Sequence, residues 1–175
     1  GSEMCIRDRD FGNPSSKHTK GMDAEKYIRE TKEILAKDLK CTPGEIIFTS
    51  GGTESNNMAI IGTAMANKRK GNKIITTSVE HSSVLATMKY LEEQGFEVIY
   101  LPVDRYGVVQ MEALEKEMTE DTILVSTMYV NNEVGAIEPV GEIGQYIKKV
   151  NPSVVYHVDA IQAFGKLEIK PRRDN

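Results

Sequence analysis

The chain has 175 residues, 39% of them apolar and 27% charged, and its 22 Lys and Arg against 26 Asp and Glu give a formal net charge of −4. That is enough chain to bury a sizeable core as one domain, and the acidic balance argues against a nucleic-acid footprint; Lys68-Arg69-Lys70 and Arg172-Arg173 read as solvated surface. No apolar run reaches membrane-span length, no signal-peptide pattern is visible, and Cys5 and Cys41 give neither metal spacing nor a disulfide framework, so a reduced, cytoplasmic protein with no membrane partner is expected.

Residues 1–9 have no periodicity and read as a non-native leader, which puts the start of the native sequence near Asp10. Phe11-Gly12-Asn13-Pro14-Ser15-Ser16 is turn chemistry, and His18 follows in the same loop, where a solvated imidazole is the plain reading. Apolar residues then recur at helical spacing over residues 22–39, and Cys41-Thr42-Pro43-Gly44 ends that helix.

Residues 45–50 read as a short strand running into Gly51-Gly52-Thr53, with a helix over residues 58–67. Strand, paired glycines, hydroxyl and helix is an arrangement that presents backbone N–H groups to a phosphate; Gly52 allows close approach and Thr53 adds a donor. Many plain turns share the double glycine.

A second strand spans 73–79 and ends at Glu80-His81-Ser82-Ser83, ahead of a helix over 84–94 that Ser82 or Ser83 could cap. His81 there suits stacking on a flat ligand or proton transfer, or else a satisfied polar turn. Residues 97–103 form a third strand and 110–118 a short helix. The fourth strand, 122–130, is almost wholly apolar or β-branched and is expected to be central; it ends at Asn131-Asn132-Glu133. A helix over 140–150 leads to Val154-Val155-Tyr156-His157-Val158, read as a buried strand that delivers Asp159 and, three residues on, Gln162. A carboxylate in that place either caps a helix or meets a cationic partner such as a protonated pyridine nitrogen.

The alternation of strand and helix predicts an α/β fold, a mostly parallel sheet with right-handed crossovers and helices on both faces. Four of the five expected strands end in ligand-suited residues: Gly52 with Thr53, His81, Asn132, and Asp159 with Gln162. Ligands of such sheets sit beyond the carboxyl ends of the strands.

With those residues in hand, the chain resembles the class V pyridoxal-phosphate enzymes, in particular the cysteine desulfurases of the NifS/IscS type. The matching motifs are Phe11-Gly12-Asn13-Pro14-Ser15-Ser16 with His18, Phe48-Thr49-Ser50-Gly51-Gly52-Thr53-Glu54-Ser55-Asn56, Glu80-His81, Val130-Asn131-Asn132-Glu133-Val134-Gly135 and His157-Val158-Asp159-Ala160-Ile161-Gln162-Ala163. The resemblance implies that residues 10–175 are an incomplete pyridoxal-phosphate-binding large domain of the fold type I transferases. It also implies that Gly52 and Thr53 hold the cofactor phosphate, His81 stacks on the ring as the catalytic imidazole, and Asn132 orients ring substituents or substrate. Asp159 would keep the ring nitrogen protonated and Gln162 would bond the phenolic oxygen. The implied reaction takes sulfur from L-cysteine, leaves alanine and passes a persulfide sulfur to an acceptor or scaffold protein for iron–sulfur cluster or thiolation pathways, in a homodimer.

An opening strand segment, the cofactor-linked lysine in its Ser-x-His-Lys context, the sulfur-accepting cysteine and the carboxylate-clamping arginine of that family find no match here. Lys166 and Lys170 read as surface lysines and Cys41 as an incidental thiol. A piece cut at both ends, inactive by itself and with an exposed sheet edge, is therefore expected. Other class V members, such as a selenocysteine lyase or an aminotransferase, and a non-catalytic fragment of the same fold are the alternative readings.

Overall fold

The computed structural model describes residues 12–171, so the expected leader over 1–9 lies outside the described residues. Contacts divide the chain into two compact units that meet in sequence between Phe48 and Thr49.

The first unit is built on helix α1 (Thr19–Leu39). His18, expected to be merely solvated, is its N-cap: Nδ1 accepts from Gly21 N at 3.3 Å and Nε2 lies 2.9 Å from Ser16 Oγ. At the other end Lys40 turns left-handed with φ 54°, and Cys41 N–H bonds Ala36 O at 2.9 Å, closing off the last carbonyls. Within this unit the apolar stripe of α1 stays largely open, with Met22, Tyr27 and Ile34 exposed. The strand expected over residues 45–50 is absent. Pro43–Glu45 is a 3₁₀ turn, and the residues after it pair with no strand among the described residues. Ile47 and Phe48 remain exposed; β-propensity without a neighbouring strand does not make a ladder.

The second unit is a parallel α/β layer structure. It contains α2 (Gly52–Asn67), β1 (Lys73–Thr77), α3 (Ser82–Glu93), β2 (Glu97–Leu101), α4 (Met111–Glu117), β3 (Thr122–Met128), α5 (Val140–Val150) and β4 (Val155–Asp159). The sheet order is β2-β1-β3-β4, all parallel. As expected, β3 is central and buried along its whole length. Side chains alternate between two cores. Ile74 and Leu124 pack with Ile60, Val84 and Met88 from α2 and α3, while Ile75 and Val125 pack with Leu114, Ile143 and Ile147 from α4 and α5. Helices thus cover both faces, the arrangement that parallel sheets require.

Two expectations fail here for physical reasons. The helix expected from residue 58 begins at Gly52, because its polar first turns are stitched to the preceding loop. The Glu54 carboxylate accepts from Ser50 N and Oγ at 2.6 Å each, and the Thr49 and Ser55 hydroxyls lie 2.7 Å apart. Nor is β4 a buried strand: among the described residues it pairs only with β3, and Val155 is exposed. Apolar composition signals a sheet strand without revealing whether both its edges are paired.

The chain reverses direction across the sheet between β1 and β3. β1 leads outward to β2, and the return connection crosses to β3 and β4 on the other side. Such a switch point leaves a crevice at the carboxyl ends of the two central strands.

Candidate active site

Gly52, Thr53, His81, Asn132, Asp159 and Gln162 all line one cleft of about 240 Å³ at that crevice, together with Ser83, Met128, Val130 and Ile161. His81 follows β1, Asn132 follows β3, Asp159 ends β4, and Gly52 and Thr53 open α2. Gly52 and Thr53 therefore reach the cleft from a helix start that no paired strand precedes, which corrects the expected strand-end placement.

The floor follows from register. On the face toward α2 and α3, Ile74, Leu124 and Val155 are adjacent, then Thr76, Ser126 and His157, then Met128 and Asp159. The layer thus turns from apolar to polar toward the cleft. His157 Nδ1 lies 2.9 Å from Ser126 Oγ, and burial holds its pKa below the ordinary histidine value, so it is a neutral group of the floor.

Asp159 is 9% exposed and makes no ion pair among the described residues. Its Oδ2 accepts from Asn56 Nδ2 at 2.9 Å and its Oδ1 from Ile161 N at 3.1 Å. The second bond has the form of the turn cap that the sequence allowed; the first does not, since it comes from a helix on the opposite wall. Two bonds leave a carboxylate with unused acceptor capacity, and a buried carboxylate with only neutral partners favours a cationic one.

Asn56 is the residue that sequence reasoning missed. It is 4% exposed, and the same amide nitrogen also donates to Ser83 Oγ at 3.2 Å. Ser83 Oγ lies 2.8 Å from His81 Nδ1, which also accepts from Ser83 N at 3.2 Å. Because Asn56 uses the hydroxyl as acceptor, the hydroxyl donates to His81. Nδ1 is then an acceptor twice over, and the neutral imidazole carries its proton on Nε2. One chain of bonds, Asp159–Asn56–Ser83–His81, joins the carboxylate to the imidazole. With α2 starting at Gly52, Asn56 stands one turn further along the same face, a spacing that a helix expected from residue 58 does not reveal.

His81 itself, and not Ser82 or Ser83, is the N-cap of α3. Asn131, beside the expected Asn132, is buried and holds the loop: its Oδ1 accepts from Glu133 N and Val134 N, and its Nδ2 donates to Val79 O at 3.1 Å. Gln162 Oε1 accepts from Lys166 Nζ at 3.3 Å, which leaves the amide NH₂ as a donor. At the start of α2 no side chain caps the helix, so the first-turn N–H groups are open to an anion. A Cβ built on Gly52 would collide with Ile161 Cδ1, so glycine at this position lets the start of α2 pack closely against Ile161.

The sequence model of the family described as "Aminotransferase class-V" matches residues 8–173. The chain belongs to the class-V aminotransferase family. Members of this family use pyridoxal 5′-phosphate. It is 47% identical over 159 residues to the protein named cysteine desulfurase IscS 1 of Archaeoglobus fulgidus, covering 91% of this chain and 41% of that protein. A cysteine desulfurase IscS of Methanosarcina thermophila is 47% identical over 165 residues, covering 94% of this chain and 40% of that protein. Among solved structures, a NifS-like protein superposes with a TM-score of 0.93 at 44% identity, covering 99% of this chain and 48% of that one. A structure described as SspA in complex with cysteine gives 0.90 at 34% identity, covering all of this chain and 51% of its own. The chain thus spans about two-fifths of the curated relatives and half of the solved chains.

The class-V cleft fits the cofactor on this structure's own evidence. It combines an uncapped helix N-terminus for a phosphate with a buried carboxylate that meets no cation among the described residues and so suits a pyridinium nitrogen. Among the described residues no cluster suits a metal ion, and no helix is long and apolar enough to cross a membrane.

Proposed function

We propose that the cleft is the pyridoxal 5′-phosphate site of a cysteine desulfurase and that residues 10–175 are part of its cofactor-binding domain. The observation that carries this reading is the meeting of six residues from four segments in one cleft at the switch point, in a chain similar to proteins named cysteine desulfurase. Gly52 and Thr53 would hold the phosphate with first-turn N–H groups and the Thr53 hydroxyl. Asp159 would keep a proton on the ring nitrogen, Gln162 would donate its amide to the phenolic oxygen, and Asn132 would orient ring substituents or substrate.

When bound, the cofactor supplies an electron sink for a carbanion. His81 would pack on the ring, and with Nδ1 engaged by Ser83, only Nε2 is free to exchange a proton with substrate. The whole protein would convert L-cysteine to L-alanine and carry the sulfur as a persulfide to an acceptor or scaffold protein, as a cytoplasmic homodimer.

The test uses pyridoxamine 5′-phosphate, which has the ring and phosphate but no aldehyde to react with surface lysines. Titration calorimetry of the 175-residue chain should show saturable binding. Loss of a charge-assisted hydrogen bond in Asp159→Asn should weaken it by about tenfold or more, and Thr53→Ala by a similar factor. Equal binding by wild type and both variants, or none by wild type, would overturn the assignment.

A further inference from the structure

One buried carboxylate beside the cleft has no part in the roles above. Glu80 is 5% exposed, and it follows β1 directly before His81. Its Oε1 accepts from Thr77 Oγ1 at 2.6 Å and from Met128 N at 2.9 Å. The first bond folds the loop back onto the end of β1, and the second crosses the switch point to the last residue of β3, two residues beyond the final β1–β3 pair, Thr76 with Ser126. Its Oε2 is buried with no partner among the described residues. The charged groups that face it, Asp159 at the end of β4 and Glu138 ahead of α5, are both acidic. An ionised carboxylate with one dry oxygen, two acidic neighbours and no cation among the described residues is a costly arrangement, and a proton on it removes that charge.

We propose that Glu80 is a positioning residue that pins the carboxyl ends of β1 and β3 together beneath the cleft as a neutral carboxylic acid. Its bond to Met128 N fixes where β3 delivers Val130 and Asn132, and its own backbone delivers His81, so both cleft walls take their spacing from this side chain. Burial pushes its pKa up to about 7, with the two acidic neighbours acting in the same direction. The native chain then keeps a proton that the unfolded chain has already released above its ordinary value of 4.5, so stability falls as pH rises from there to about 7 and levels off beyond.

The inference about the cleft walls rests on the cofactor reading; the inference about the proton does not. Urea unfolding of the 175-residue chain is measured from pH 5 to 8.5 for wild type, Glu80→Gln and Glu80→Ala, with pyridoxamine 5′-phosphate affinity over the same range. Glu80→Gln keeps the acceptor oxygen and cannot ionise. It should make the fall in midpoint between pH 5 and 7.5 shallower than in wild type, the remainder coming from Glu138, whose carboxyl pKa burial also raises. It should bind within about twofold of wild type at pH 6 and tighter than wild type at pH 8. Glu80→Ala should lose roughly tenfold in affinity at both pH values or fail to fold. A midpoint in Glu80→Gln that falls with pH as wild type does, or a tenfold loss of its affinity at pH 6, would overturn the proposal. Should no variant bind the probe at any pH, the cofactor reading fails while the unfolding profile still decides the protonation of Glu80.

Discussion

Strands β3 and β4 lie side by side in register, yet they are held in different ways. Each β3 residue from Thr122 to Met128 is buried, with ladders to β1 on one side and β4 on the other. Among the described residues β4 has one ladder, exposes Val155 and leaves Tyr156, His157 and Val158 half-buried. The candidate cofactor-binding carboxylate, Asp159, nevertheless comes from β4. β3 is held by burial spread over its length, whereas the working end of β4 is held by individual polar bonds, chiefly Asn56 to Asp159. A site can thus be precise on a weakly covered strand, provided a helix from across the cleft grips the residue that matters.

The largest expected effect tests the first half of that contrast. Leu124 and Val155 are direct register partners, one fully buried and the other exposed. Leu124→Ala should cost about 2–5 kcal/mol through lost burial and an incompletely filled cavity, and Val155→Ala less than about 1 kcal/mol. Urea midpoints with unchanged slopes would measure both. Similar costs at the two positions would mean that β4 is packed as tightly as β3 and that the contrast is false.

The same contrast explains what could be read in advance. The β-branched runs around Ile74-Ile75 and Leu124-Val125 announce strands, their alternation with helical spacing announces a parallel sheet, and polar residues at strand ends announce the cleft. His81, Asn132, Asp159 and Gln162 stood out because each breaks an apolar run or closes one. That β4 has one ladder among the described residues was hidden because Val154-Val155-Tyr156 has the composition of a central strand. The start of α2 was hidden because Gly52 to Asn57 has no apolar period, its turns being fixed by Ser50 with Glu54 and Thr49 with Ser55. Asn56 was hidden for a related reason, since its partner lies 103 positions away and no local pattern encodes that meeting. Glu80 reads in sequence as an ordinary turn carboxylate; only its burial and its bond to Met128 N set it apart.

The second half of the contrast predicts an intermediate effect with a different signature. Asn56→Leu keeps much of the side-chain volume but removes the donor shared by Asp159 and Ser83. Leaving a buried acceptor short of a partner should cost about 1–3 kcal/mol. It should also weaken pyridoxamine 5′-phosphate binding by about tenfold, since both Asp159 and the Ser83–His81 bond lose their anchor. Leu124→Ala, assayed where it is still fully folded, should bind the probe within about twofold of wild type. If the core variant loses affinity as steeply as Asn56→Leu, the cleft depends on the sheet as a whole and the polar grip adds nothing of its own.

The smallest effect on stability concerns the open side of β4. A strand that has one ladder among the described residues and an exposed valine is a template for pairing with another chain, and a lysine at such an edge opposes that pairing through charge and hydration. Val155→Lys should therefore change the urea midpoint by no more than about 0.5 kcal/mol equivalent, because the replaced side chain is already 40% exposed. Its effect should appear instead in sedimentation velocity as a reduced fraction of associated chains at equal concentration. A loss above about 1 kcal/mol would show that Val155 contributes to the fold as Leu124 does. Unchanged association would show that the chains meet through another surface, and β4 would then be an edge in its hydrogen bonding but not in its behaviour.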